Sequence, residues 1–475
     1  MDLKVKVGGV NDLEPSEPVS PIGQYLSSSM LSISIIAILE FDNPFDDSSI
    51  IAQIKDIFLP ISPRFSSIMV EDEEGRKHWK RVEVTVEDHL KVPSYPEGLS
   101  TTSYDHHFSD YLSKMAMDPF PQTKPLWEIH IIKYPTSNAS GSIVFKLHHA
   151  LGDGYSLMGA LLSCLHQADN PSLPLTFPNL RKTLKPENAL KNIFSVVPHA
   201  LSGVLNTVLD FGCSIAKSTF LEDSRSPIHS GKEGIEFRPI NITTMTFSLD
   251  QIKQIKSCLQ ATVNDVVSGM IFLGTRLYME ATREEARNAR STALVVLNTR
   301  SMGAYKSVDE MLHNQEAKSL WGNKCLFLHI SIPKLHQTHG PLNPLKFVLE
   351  TKNMINNNRN SFAVYLNGML IDSIGKYRSP EAGDKYFHTT LKNSSMVVSN
   401  VIGPLEKMAL SNQPVKGFYY VAATFPQSLT VTVMSYMDQL RVAVGSEKDF
   451  IDHVRFRTCI QKAFSMIFDA AVKPK

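Results

Sequence analysis

His148-His149-Ala150-Leu151-Gly152-Asp153-Gly154 places two histidines, an acid and two glycines within one short stretch. Residues 143–147 before it are mostly apolar and read as a strand. Residues 155–167 after it set Leu157, Leu161, Cys164 and Leu165 on one helical face. A strand ending on histidine, then a glycine-punctuated turn, then a helix can hold an imidazole at the mouth of a cleft. The unperturbed pKa of histidine suits general-base work near neutral pH. Asp153 can turn back and brace the loop, or pair with a cation. A hairpin end with a buried, hydrogen-bonded histidine is the plain alternative.

Outward from this loop, residues 1–170 read as one α/β unit. Residues 33–39 are β-rich, 50–59 have helical spacing, 79–86 alternate as a strand does, and 108–117 are helical. Residues 127–134 and 142–148 are β-rich runs on either side of a turn-forming stretch, which predicts a hairpin. Residues 171–240 read as a proline-flanked crossover. Within it, 193–216 is apolar but broken by Pro198, His199, Asn206 and Asp210. A spanning helix needs about 20 mostly apolar residues, so an interfacial or interdomain amphipathic helix is expected, with plain burial as the alternative. Residues 224–234 are polar and read as a mobile surface loop.

Residues 241–475 read as a second α/β unit, with a helix over 262–279 and strands at 294–297, 326–332, 396–401, 417–424, 429–437 and 439–444. Gly274 falls on the apolar face of that helix, where a missing side chain lets a neighbour pack closely. Ser446 to Asp449 has the spacing of a capping box for the last helix.

Composition agrees with this division. A chain of 475 residues is too long for one ordinary core, and 43% apolar with 20% charged residues is globular. A net charge of +1 gives no basic field for nucleic acid. The five cysteines are scattered in apolar surroundings and read as reduced core thiols.

Further short motifs follow in order. Pro125-Leu126-Trp127-Glu128 comes after Asp118-Pro119-Phe120 and opens the hairpin; Trp127 can wall a lipid pocket or anchor the strand. Val263-Asn264-Asp265-Val266 opens a helix, where Asn264 can cap or donate its amide to a developing oxyanion. Asn298-Thr299-Arg300 follows a strand, and Arg300 can pair with Asp153 or stand as a surface cation. Trp321-Gly322-Asn323 and Ser399-Asn400-Val401-Ile402-Gly403-Pro404 complete the series. In this order, with the H-H-x-x-x-D-G stretch, the motifs resemble the plant-type wax ester synthase/diacylglycerol acyltransferase family. Leu297 replaces the valine usual before Asn298, and Cys325 stands where the family pattern continues in glycine. The D-F-G-W-G of the related acyltransferases that modify phenolics and alkaloids is missing, which argues for neutral-lipid chemistry.

The resemblance implies an α/β, two-domain, CoA-dependent acyltransferase fold of the chloramphenicol acetyltransferase type, with mixed sheets flanked by helices and a tunnel between the domains. It implies an N-terminal acyltransferase domain over 1–170, a crossover linker over 171–240 and a C-terminal acyltransferase domain over 241–475. It implies an O-acyltransferase that moves a long-chain acyl group from acyl-CoA to a fatty alcohol or diacylglycerol. His149 would be the general base, His148 its support, Asp153 a structural brace and Asn264 the oxyanion donor. Gly152, Gly154, Trp127 and Arg300 would line the substrates. Acyl-CoA is a co-substrate; no metal or other cofactor is expected, and no nucleic-acid partner. A membrane surface is the expected partner, at the cytosolic face of the endoplasmic reticulum, with the cell membrane as a second location. The alternatives are the same fold with another acceptor or a carrier-bound acyl donor, and a non-catalytic lipid-binding protein.

Overall fold

The computed structural model describes residues 17–43, 47–173, 175, 212, 215–216, 218–298, 321–335, 342–360, 369–370, 373–374 and 380–472. Two sheets carry the architecture. A seven-stranded sheet runs in the order Leu90–Lys91, Trp127–Ile132, Gly141–His148, Ser34–Phe41, Gln413–Ala423, Met408–Leu410, His166–Gln167. A six-stranded sheet runs Cys325–Ser331, Thr292–Asn298, Met396–Ile402, Leu429–Tyr436, Gln439–Glu447, Ile240–Ser248. A three-stranded sheet of Glu17–Pro18, Lys77–Arg81 and Ser67–Glu71 stands apart.

The expected hairpin is present: Trp127 pairs with Leu147 and Ile132 with Ser142, antiparallel. Ser34–Phe41 then pairs along the whole length of Gly141–His148, with Ser34 opposite His148. All eight residues of both strands are buried, so the sheet is covered on both faces. Its other flank comes from far along the chain. Gln413–Ala423 lies against Ser34–Phe41, so the N-terminal sheet is not confined to residues 1–170. Glu40 and Arg441 pair at 2.8 Å, joining the seven-stranded to the six-stranded sheet. Burial raises the Glu40 pKa, and the Arg441 charge works against that rise.

The six-stranded sheet packs against the helices Val263–Thr282 and His453–Val472. At Gly274 the expected close approach is real: a Cβ there would fall 2.8 Å from Ile460 Cα. Several local readings differ. The strand expected at 79–86 is Lys77–Arg81. The helix after the His loop stops at Ser163, because His166–Gln167 leaves to pair with Met408–Ala409. The last helix starts at His453, and Asp452 Oδ1 accepts the Arg455 amide; Ser446 is a strand residue, so the capping box at 446–449 does not form. Residues 224–234 are not an exposed mobile loop, since Ile228 and His229 are almost wholly buried and Ser226 pairs with His229. Cys164 and Cys459 are buried thiols as expected, Cys325 is half-buried and Cys258 is exposed. Of the apolar segment 193–216, only Gly212, Ile215 and Ala216 fall within the described residues.

Candidate active site

The His loop begins where the strand Gly141–His148 ends. The His149 amide still donates to Ile33 O at 2.9 Å, so the histidine is fixed to the neighbouring strand before the chain turns. A 3-10 turn His149–Leu151 follows, and the helix Gly154–Ser163 starts on Asp153 as its cap.

The two adjacent histidines have different environments. His148 is 3% exposed. Its Nδ1 accepts the Ala150 amide at 3.1 Å. The proton therefore sits on Nε2, which donates to Ser32 Oγ at 3.2 Å. Both nitrogens are engaged, and burial, helped by the His149 charge, pushes its pKa down to about 3. It supports the loop as a neutral ring.

His149 is half-buried. Its Nδ1 lies 2.9 Å from Asn323 Oδ1, while Asn323 Nδ2 donates to the His149 carbonyl at 3.0 Å. The second bond fixes which way the amide points, so Nδ1 must carry a proton and donate to Oδ1. The Nε2 lone pair is then the basic one, and among the described residues no hydrogen bond uses it. Burial lowers the His149 pKa; the Asp153 charge, its own backbone carbonyl and Asn323 oppose that shift. A neutral imidazole with a free Nε2 is a general base in its working protonation state.

Backbone amides engage both oxygens of Asp153, the geometry of a brace. Oδ1 accepts the Ser156 amide at 3.1 Å, and Oδ2 accepts the Lys324 amide at 2.8 Å. Arg300, its expected cationic partner, lies outside the described residues. Residues 321–324 form a turn that closes over the loop from the other half of the chain. Ser156 Oγ accepts the Gly322 amide at 3.0 Å and lies 3.1 Å from its carbonyl. Gly322 sits at φ +107°, a conformation open to glycine and costly for other residues. Trp321 packs edge-on against Phe65 at 6.2 Å.

Gly152 and Gly154 answer a need for space, not for positive φ. A Cβ on Gly152 would lie 2.8 Å from Ser156 Cβ, and one on Gly154 would lie 3.3 Å from Val401 Cγ2. The second contact brings the end of the strand Met396–Ile402 against the His loop. Two residues beyond Val401, a Cβ on Gly403 would meet Ser435 O at 2.0 Å, which explains the glycine of the S-N-V-x-G-P element.

Trp127 has no exposed surface. Its indole donates to Phe65 O at 2.8 Å, and its ring stacks on His89 at 4.1 Å. It anchors the strand in the core, and a role as pocket wall does not fit that burial. Its neighbour Glu128 is the centre of a buried charge cluster that the sequence did not suggest, with Lys91 at 2.9 Å, His130 at 3.3 Å and Lys146 at 3.8 Å. Burial works to raise the Glu128 pKa, but the nearby His130 ring, the Lys91 hydrogen bond and the Lys146 charge bring it down to about 2. Lys146 Nζ also donates to Asp118 O at 2.6 Å, tying the Asp118-Pro119-Phe120 loop to the strand that ends on His148.

Asn264 does not cap its helix. Thr262 does, in a reciprocal capping box with Asp265. The Asn264 side chain instead accepts from Asn400 Nδ2 at 3.1 Å, next to the Val401 that touches Gly154.

The whole chain has known counterparts. Residues 64–267 match the model of the wax ester synthase/diacylglycerol acyltransferase catalytic domain, and residues 321–468 match that of the WS/DGAT C-terminal domain. Wax ester synthase/diacylglycerol acyltransferase 2 of Arabidopsis thaliana is 28% identical over 480 residues, covering 97% of each chain. Wax ester synthase/diacylglycerol acyltransferase 4 of the same plant is 28% identical over 458 residues, covering 91% of this chain and 86% of its own. The solved wax ester synthase/diacylglycerol acyltransferase from Marinobacter aquaeolei VT8 superposes with a TM-score of 0.59 at 15% identity, covering 96% of this chain and 100% of that one. The first condensation domain of the CDA synthetase superposes with a TM-score of 0.52 at 12% identity, covering 93% and 91%. These neighbours show the fold: it is the two-sheet acyltransferase architecture that the motif order implied.

Proposed function

As a member of the wax ester synthase/diacylglycerol acyltransferase family the chain is an acyltransferase, and we propose that it moves a long-chain acyl group from acyl-CoA to the hydroxyl of a fatty alcohol or diacylglycerol, with His149 as general base. The observation that carries this reading is the Asn323 clamp, which holds the Nδ1 proton and leaves the Nε2 lone pair free. Nε2 takes the hydroxyl proton as the oxygen attacks the thioester carbonyl. The tetrahedral intermediate collapses, the C–S bond breaks, and the CoA thiolate takes the proton back from His149. No acyl-enzyme is needed.

Asn264 is the proposed donor to the oxyanion. The bond from Asn400 occupies Asn264 Oδ1 and leaves its amide N–H groups to donate elsewhere. Gly152 and Gly154 are proposed to let the thioester approach the loop backbone. Long-chain substrates partition into bilayers, so the enzyme is proposed to work at the cytosolic face of the endoplasmic reticulum, touching it through 193–216. Among the described residues no helix is long and apolar enough to cross a membrane. Deleting 193–216 should lower recovery with membranes and spare turnover of short, soluble alcohols; unchanged recovery would place the contact elsewhere.

The test of the reaction is a screen of several acyl-CoAs against fatty alcohols and diacylglycerol, scoring ester and free CoA together. Equal amounts of ester and CoA are expected. Lipid binding with no CoA release would point instead to a carrier or sensor.

A further inference from the structure

The three-stranded sheet takes no part in the reaction above, yet two segments joined to it reach the His loop. One follows the strand Glu17–Pro18 through Val19 and Ser20 into the helix Pro21–Tyr25. Val19 is buried and its amide donates to Lys77 O at 2.9 Å, while Ser20 Oγ caps the helix by accepting the Gly23 amide at 3.2 Å. This helix lies against the turn His149–Leu151, where a Cβ on Gly23 would fall 3.6 Å from Ala150 O. The other segment is the turn Pro63–Ser66, which leads into the strand Ser67–Glu71. Its Phe65 packs on Trp321, and its Arg64 goes further.

Arg64 stands where the His loop meets the 321–324 turn. It is buried, with its guanidinium over the Trp79 ring at 5.9 Å. Nη1 donates to Leu151 O at 3.4 Å, and a Cβ on Gly322 would lie 3.7 Å from that same nitrogen. Leu151 closes the turn that His149 opens, and Gly322 precedes Asn323. Nη2 donates to Glu17 Oε1 at 2.5 Å, so the counter-charge of this buried cation sits on the N-terminal strand. A guanidinium is planar and presents its donors in fixed directions, so one rigid group reaches the loop carbonyl and Glu17 at once; an ammonium is a single point. We propose that Arg64 is a positioning residue for the base: held by Glu17, it pins Leu151 beside Gly322 and keeps the His149 turn in register with the turn that carries Asn323. A misplacement of about 1 Å at a reacting group can cost a hundredfold in rate, so such a pin acts on turnover. The inference rests on His149 as base and adds the group that docks its clamp.

The test is a double-mutant cycle on kcat, with the melting temperature measured for every variant. Arg64→Met keeps an unbranched apolar side chain and removes both hydrogen bonds. Folded Arg64→Met should lose about tenfold in kcat with KM for acyl-CoA and alcohol little changed, and Arg64→Lys should not restore it. In an Asn323→Ala background the clamp is already gone, so the same substitution should cost no more than about twofold. A group that only stabilises the fold would lower the melting temperature and leave kcat per folded molecule alone. That result, or an equal loss in both backgrounds, overturns the proposal. If Arg64→Met does not fold, Glu17→Ala carries the same cycle from an exposed position. It leaves the guanidinium without its holder and should lower kcat about threefold in the wild-type background and hardly at all beside Asn323→Ala. An unchanged kcat in Glu17→Ala, or an equal loss in both backgrounds, overturns the proposal in that case. Wild-type protein that makes no ester overturns the proposed function itself.

Discussion

The His148–Gly154 loop and the 321–324 turn meet at one imidazole, and they do different things there. The loop brings the proposed base and is tied to its own sheet through His149 N–H to Ile33 O. The turn brings no reactive group. It supplies Asn323 to the ring, the Lys324 amide to Asp153 and the Gly322 peptide to Ser156. Under the proposed mechanism chemistry would come from one half of the chain and orientation from the other, so the base would be competent only when the halves are docked. This differs from a triad within one loop, where Asp153 would have held the ring.

Removing the reactive group should have the largest effect. His149→Ala is expected to lower kcat by about a hundred- to ten-thousandfold, the usual contribution of a positioned base, with the fold kept by circular dichroism and melting temperature. Near-normal turnover in folded His149→Ala protein would move the chemistry off the loop.

Removing the orienting group should come next, and it splits the comparison cleanly. Asn323→Ala takes away one hydrogen bond to a ring that becomes charged in the reaction, a loss of about 1.5–3 kcal/mol or roughly ten- to a hundredfold in kcat. Asn323→Asp puts a carboxylate on Nδ1–H. In the wild-type protein burial lowers the His149 pKa, so the acid limb of kcat/KM should lie below the ordinary histidine value of 6.5. The carboxylate stabilises the imidazolium, so Asn323→Asp should move that limb to higher pH. An unmoved limb would mean that the titrating base is not the ring Asn323 holds.

The brace should matter less. Asp153→Asn replaces one carboxylate oxygen with an amide N–H, which then faces the backbone N–H of Ser156 or of Lys324. Losing one of those buried bonds costs about 1–3 kcal/mol, so melting temperature and activity should fall together. A loss of activity with the melting temperature unchanged would instead give Asp153 a direct part in the chemistry.

The same contrast explains what the sequence made legible. Residue types that do chemistry are rare and cluster, so the loop stood out, and the strand–turn–helix around it followed from periodicity. Asn323 was visible only as a letter in Trp321-Gly322-Asn323; its partner is distant in sequence, and no local pattern shows that one amide both donates to the His149 carbonyl and accepts from its ring. The strand Gln413–Ala423 read correctly as a strand, but nothing in its alternation says that it pairs with Ser34–Phe41 rather than joining the six-stranded sheet. Trp127 was ambiguous because a lipid wall and a core anchor demand the same side chain, and only burial decides. The helix Leu249–Leu259 went unread, as its apolar stripe is short: Ile252 and Ile255 are its buried residues.

The smallest effect on turnover is expected at His148, the neighbour that shares the chemistry of His149 but none of its freedom. His148→Ala removes the acceptor for the Ala150 amide and the donor to Ser32 Oγ. The loop loses support while the Asn323 clamp on His149 stays. Activity should drop modestly and stability more clearly. The pH dependence makes the assignment specific. The folded-state pKa of His148 is pushed down to about 3, below its ordinary value of 6.5. Between those values the unfolded chain binds the proton and the folded chain does not, so this residue costs stability as pH falls from about 6.5 toward 3. Above pH 6.5 both states are neutral and the cost vanishes. Wild-type protein should therefore lose more melting temperature between pH 7 and pH 5 than His148→Ala does, even though the variant starts lower. Equal losses across that interval would mean that His148 is not the buried neutral ring drawn here, and a collapse of turnover in folded His148→Ala would put it in contact with substrate.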